Sequence, residues 1–175
     1  MNDLLELAIA AHGGLRRWEQ IKRFRAAASI TGAVWALKGK PGLLDDVVLE
    51  GETRAQRLTT APFLFARHDF VTEETGPWHE DGEIWRRLLV TYPDIIVAHH
   101  RQQTYYFDDR GLLRRLDYSV DILGGGPAVH YPAGYREFDG IMAPTRRRVY
   151  VRNPDGSAAR NTVSIAIDLA DLAFE

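Results

Sequence analysis

The sequence predicts a mainly β, α+β fold: an antiparallel meander preceded by one amphipathic helical segment. Three observations carry this. Apolar residues recur at helical spacing over the first twenty positions. Little helical pattern follows residue 22, and short alternating segments punctuated by turn residues fill the rest. A parallel α/β fold would place helices between its strands, so it is not the expected one.

Asp3 followed by Glu6 has the spacing of a capping box, with Asp in the Ser/Thr role. Leu4, Leu7, Ala8, Ala11 and Leu15 then form one stripe, and Gly13-Gly14 ends the first helix because glycine takes left-handed backbone conformations freely. A short second turn carries Trp18 and Ile21. Residues 3–20 are therefore expected to be helical, burying Leu4, Leu7, Ala11, Trp18 and Ile21 against a sheet.

Strands are expected at Phe24–Thr31, Val34–Leu37, Val47–Glu50, Gln56–Thr59, Ile84–Tyr92, Ile95–His99, Gln102–Asp108 and Leu112–Val120, then at Val129–Phe138, Thr145–Arg152 and Val163–Asp171. Turn signals separate many of them, among them Thr31-Gly32, Tyr92-Pro93-Asp94, Asp109-Arg110-Gly111 and Asp139-Gly140. Alternation puts Ile84, Leu88, Val90 and Tyr92 on one side of their strand, and Leu112, Leu116, Tyr118 and Val120 on one side of theirs. One face is wet and the other covered. Residues 52–83 break the pattern with an apolar cluster at Pro62-Phe63-Leu64-Phe65 and an acidic stretch, and read as a lid or crossover.

A chain of 175 residues fits a single domain, 1–175, with core enough to need no staple. The absence of cysteine excludes disulfides, thiolate metal sites and cysteine nucleophiles. A net charge of −2 gives no basic field for nucleic acid. No apolar run approaches the roughly 20 residues of a membrane span. The acidic N-terminus is unlike a secretory signal, so with Met1 as the natural start a cytoplasmic protein is expected.

The helix ending in Ala11-His12-Gly13-Gly14, followed by Arg17-Trp18, Ile21 and a strand, resembles the LolA-like superfamily of bacterial proteins. So does the closing segment, Tyr135-Arg136-Glu137-Phe138-Asp139-Gly140-Ile141, Pro144, a basic strand, a turn at Asp155-Gly156 and a last apolar strand. The resemblance implies a strongly curved antiparallel sheet, a half-barrel, whose concave side is covered by the N-terminal helix. It also implies a hollow for an apolar ligand, as in lipoprotein carriers and their acceptors. A small enzyme of violacein biosynthesis looks similar in fold. A lipobox cysteine, as in an acceptor lipoprotein, is absent.

No catalytic motif stands out. His99 and His100 are adjacent and point to opposite faces, and no metal-ligand spacing exists, so no metal and no cofactor are expected. His12 suits a helix C-terminus, where it can bond free carbonyls. Gly124-Gly125-Gly126-Pro127 lacks the ending of a phosphate loop and reads as a loop between strands. No serine lies in a nucleophile elbow. Arg86, Arg114 and Arg147 fall in phase with apolar neighbours, where a charge is costly unless paired. Cross-strand acids such as Glu83, Asp108, Asp117 or Glu137 would satisfy them. So would a ligand carboxylate or phosphate held bidentately.

These residues support binding of a lipophilic small molecule, an acyl chain or hydrophobic metabolite. Arg86, Arg114 and Arg147 would be the polar wall, and Leu88, Val90, Tyr92, Leu116 and Tyr118 the apolar one, with residues 60–83 as lid. The alternative is a small cofactor-free enzyme acting on a hydrophobic intermediate with one proton-transfer residue, His130 or Glu137. A protein partner could pair with an exposed sheet edge.

Overall fold

The structure, a computed structural model, describes residues 2–52, 61–96, 98–120 and 126–175. Among the described residues nine strands form one antiparallel sheet: β1 (Arg23–Thr31), β2 (Val47–Glu52), β3 (Val71–Glu80), β4 (Glu83–Thr91), β5 (Gln102–Phe107), β6 (Leu113–Val120), β7 (Gly126–Phe138), β8 (Ile141–Val151) and β9 (Ile165–Phe174). Their spatial order is β2-β1-β9-β8-β7-β6-β5-β4-β3, a meander from β3 to β9 with the first hairpin added beside β9. The sheet curves strongly but stays unclosed, with β2 and β3 as its edges.

Helices α1 (Asp3–Ala11) and α2 (Leu15–Gln20) lie at the concave face, broken at Gly13-Gly14 as their conformation requires. The cap is Asn2, whose Oδ1 accepts from the Leu5 amide at 2.9 Å. Asp3, expected in that role, instead pairs with Arg86. The buried stripe is Leu4, Leu5, Ala8 and Ile9, rotated from the expected one, so that Leu7 and Ala11 are only half-buried. Trp18 is also half-buried, stacked on Phe63 with ring centroids 4.7 Å apart. Ile21 is buried as expected.

The two segments that carry the family resemblance meet in space. Gly13 has φ +116° and lies so close to the β7–β8 turn that a Cβ there would sit 2.2 Å from the Gly140 carbonyl oxygen. Arg17 Nε donates to the Asp139 carbonyl at 2.7 Å, and the Met142 amide donates to the His12 carbonyl at 3.1 Å. Asp139 Oδ2 in turn accepts from the Phe174 amide of β9. This clasp fixes the helix pair over the hollow.

Several expected strands differ. Val34–Leu37 belongs to a one-turn helix, α3 (Ala33–Leu37), between Gly32 and Gly39. Its β-branched and aromatic residues suit a strand locally, but Gly32 abuts Ser164 of the segment entering β9 and turns the chain out of β1. The described part of Ile95–His99 is a loop between β4 and β5. Gln56–Thr59, and Gly124 and Gly125 of the glycine run, lie outside the described residues.

The described part of the expected lid, residues 61–83, does not form a separate element. Phe63 and Phe65, on the short 3-10 turn Phe63–Ala66, and Phe70 are buried in the core with Leu88 and Val90. Val71–Glu80 is the edge strand β3, paired along β4 with a register shift between Thr75 and Trp78. Its Thr-Glu-Glu-Thr-Gly-Pro run hides the strand pattern, and proline is tolerated at an edge where no further partner needs its amide.

Candidate functional site

Within the core on the concave face a cavity of about 430 Å³ remains, lined in part by core residues such as Phe63, Tyr105 and Ile141. Pairing explains which side chains reach it. Leu116, His130 and Val149 form one row across β6, β7 and β8; Pro132, Arg147 and Ile167 form another across β7, β8 and β9. Both rows face inward, so His130 and Arg147 are diagonal neighbours on one wall. Leu113, Leu116, Ile141, Leu169 and Phe174 give the wall its apolar surface, and His12 closes it from the end of α1.

His12 keeps its structural role. It is buried, and its Nδ1 is 2.7 Å from the Ala8 carbonyl oxygen, to which it donates as Nδ1–H. Its ring also lies edge-on to Tyr135 at 5.7 Å. Burial lowers its pKa, opposed by the bond to Ala8. His130 is 6% exposed, and its Nε2 is buried with no hydrogen-bond partner among the described residues. Burial first, and the Arg147 charge second, push its pKa down to about 3. At neutral pH it is an uncharged, weakly basic ring, poorly matched to the proton-transfer role considered for it. Glu137 is exposed on β7 and does not line the cavity.

Arg147 is the unusual group. Among the described residues no hydrogen bond or ion pair joins its guanidinium to the protein, whereas Arg148 beside it binds Asp168 at 2.8 Å. Burial lowers its pKa, and the only counterweight is the Tyr135 hydroxyl. At the far end Tyr92 and Tyr105 share a hydroxyl–hydroxyl bond of 2.6 Å, which continues from Tyr105 to Gln103. Tyr118 stacks on His99 at 5.2 Å, and burial raises its pKa to about 12.

Of the expected site residues, Tyr92, Leu116, Tyr118 and Arg147 come together at this cavity, and the others do not. Leu88 and Val90 are fully buried beneath α1, in the packed part of the core. Arg86 clamps the start of α1 to the sheet edge, donating to Glu74 at 2.7 Å and Asp3 at 2.8 Å. Arg114 faces away because β6 carries a bulge: Tyr106 pairs with Arg115 but Phe107 with Leu113. The extra residue shifts the alternation, turns Leu113 inward and leaves Arg114 with Glu83 at 3.2 Å.

The same bulge explains Arg115, which the sequence did not single out. It is fully buried on the convex side, donating to Asp117 at 2.7 and 2.9 Å, to Glu80 at 2.5 Å and to the Gly156 carbonyl at 2.6 Å. Trp78 and Tyr106 flank it at 4.7 and 5.0 Å. A convex groove of about 680 Å³ lies beside this cluster. Tyr135, donating to the Leu113 carbonyl where β6 and β7 part, and Met142 separate groove from cavity. Arg114, Arg148 and Arg160 in the groove are paired to acids, and Arg146 there is exposed to solvent. Arg147, on the cavity, is neither exposed nor paired to an acid among the described residues.

No family profile and no curated protein sequence matches the chain. Solved structures do. A LolA superfamily protein from Nitrosomonas europaea superposes with a TM-score of 0.57 at 15% identity, covering 97% of this chain and 90% of its own. A domain assigned to outer membrane lipoprotein sorting, from Vibrio parahaemolyticus, gives 0.56 at 10% identity, with 98% and 92% covered. A DUF1329 family protein from Desulfovibrio piger gives 0.53 at 13% identity, again with 98% and 92% covered. Helix pair, clasp and nine-stranded open sheet together give this chain a LolA-like fold.

Proposed function

We propose that the protein binds and carries a lipophilic small molecule in the concave cavity. The observation that carries this reading is an apolar hollow of about 430 Å³ left open within the core. Its volume falls within the roughly 300–1,000 Å³ of small-molecule sites, and its make-up, apolar walls with a few polar groups, is theirs as well. An acyl chain or a hydrophobic metabolite fits that make-up, and the lipoprotein-sorting assignment of one structural neighbour agrees with acyl cargo.

The test is titration with N-phenyl-1-naphthylamine, a neutral apolar fluorophore. Saturable, blue-shifted fluorescence is expected from the parent protein. Leu116→Trp, which fills the cavity from β6, should weaken binding on the order of tenfold or more while leaving the melting transition cooperative. The convex-groove variant Tyr150→Ala should leave the affinity unchanged. Absence of saturable binding to the parent protein would overturn the reading.

A further inference from the structure

We infer that the cavity selects a lipophilic acid, whose oxyanion is held by the Arg147 guanidinium with the His130 imidazole beside it. This rests on the reading of the cavity as a lipophilic site and adds the chemistry of the head group.

The argument is one of unmatched groups. Arg147 presents a fork of donors to a mostly apolar cavity, and no carboxylate among the described residues binds it. The titratable groups that sense its charge are His12, His130 and Tyr135, none of which is anionic at neutral pH. A guanidinium among apolar walls is costly without a counter-charge. The other inward candidate, Arg86, has two carboxylates, and the convex Arg115 has two more. Among the described residues, acids thus meet Arg86 and Arg115 and none meets Arg147 on the cavity.

His130 supplies the second, independent observation. Its Nε2 is buried, unpartnered among the described residues, and on the same wall one diagonal step from Arg147. A buried polar atom without a partner costs free energy that a bound oxygen would recover. Kept neutral, the ring can hold its proton on Nε2 and donate it to one ligand oxygen while the guanidinium takes both. Carboxylate and phosphate monoester share this geometry. The chain or ring system of the acid would extend along Leu116 and Leu169 toward Tyr118.

The experiment compares cis-parinaric acid with its methyl ester, which share an apolar body and differ in charge. The parent protein should bind the acid more tightly than the ester. Arg147→Gln should weaken the acid on the order of tenfold to a hundredfold, the usual worth of a charged hydrogen bond, and change the ester by less than about twofold. Arg147→Lys, which keeps the charge but not the fork, should fall between. His130→Phe should weaken the acid selectively and by less. Equal affinity of the parent for acid and ester, or an acid preference that survives Arg147→Gln, would overturn the inference and leave the lipophilic site standing. Failure of both probes to bind would remove the lipophilic site itself. Should Arg147→Gln not fold, the parent's acid-to-ester ratio and the Arg147→Lys variant still decide.

Discussion

Arg115 and Arg147 both lie within the sheet, yet their charges are balanced in opposite ways. Arg115 is neutralised by Asp117 and Glu80 and further bonded to a backbone carbonyl, so it behaves as structure. Arg115→Ala would remove the guanidinium that two enclosed carboxylates share, and should lower stability by roughly 3–5 kcal/mol in urea unfolding. Arg147→Gln removes an unbalanced charge and should cost far less. His130 makes a residue-level prediction about pH. Its folded pKa of about 3 lies below the ordinary histidine value of 6.5, so the unfolded chain binds the proton first. Stability from this group is complete above about pH 6.5 and is lost as pH falls toward 3, with a limiting slope of roughly 1.4 kcal/mol per pH unit. His12, also lowered by burial, acts in the same direction. His130→Phe should therefore flatten the fall in urea midpoint between pH 7 and 4.5, and a parallel curve would show that the ring is not buried neutral. Arg114 and Arg115 are adjacent in the sequence, but the bulge in β6 that decides which of them is enclosed was not visible there. A bulge is set by two strands together, and alternation along one strand has no record of it.

Among the elements, α1 depends on its two ends. At its start, Asn2→Ala removes the bond to the Leu5 amide and should cost about 1 kcal/mol, read as a lower melting temperature. At its end, Gly13→Ala meets both a positive φ and the Gly140 carbonyl, so a loss of at least about 2 kcal/mol is expected. An unchanged melting temperature for Gly13→Ala would mean that the clasp is not formed. Trp18→Ala should cost about 2–3 kcal/mol, below the 3–5 typical of fully buried aromatics, because its indole is only half-buried on Phe63. The helix break at Gly13-Gly14 and the strands from β4 to β9 were legible because glycine conformation and period-two alternation are local properties. Strand β3 and helix α3 were not. The first is polar on both faces because it is an edge, and the second is strand-like in composition but is closed into a turn by its contact with the start of β9.

For the whole molecule, an open sheet with two edges predicts a graded stability. Amide exchange should be slowest in β7 and β8, paired on both sides near the middle of the sheet, and fastest in the edge strands β2 and β3. Protection of β2 equal to that of β8 would instead indicate a covered edge. The N-terminal helical break, the antiparallel meander, the lack of thiol chemistry and the two signature segments at opposite ends of the chain were all determined by the sequence, since each follows from spacing, composition or local backbone preference. That those segments clasp each other, that Phe63 and Phe65 are buried in the core, and that among the described residues Arg86 and Arg114 find acids while Arg147 does not, were decided only by tertiary structure. The reason is physical: alternation assigns a residue to a face, but whether that face is packed, paired or empty depends on what distant strands bring to the same place.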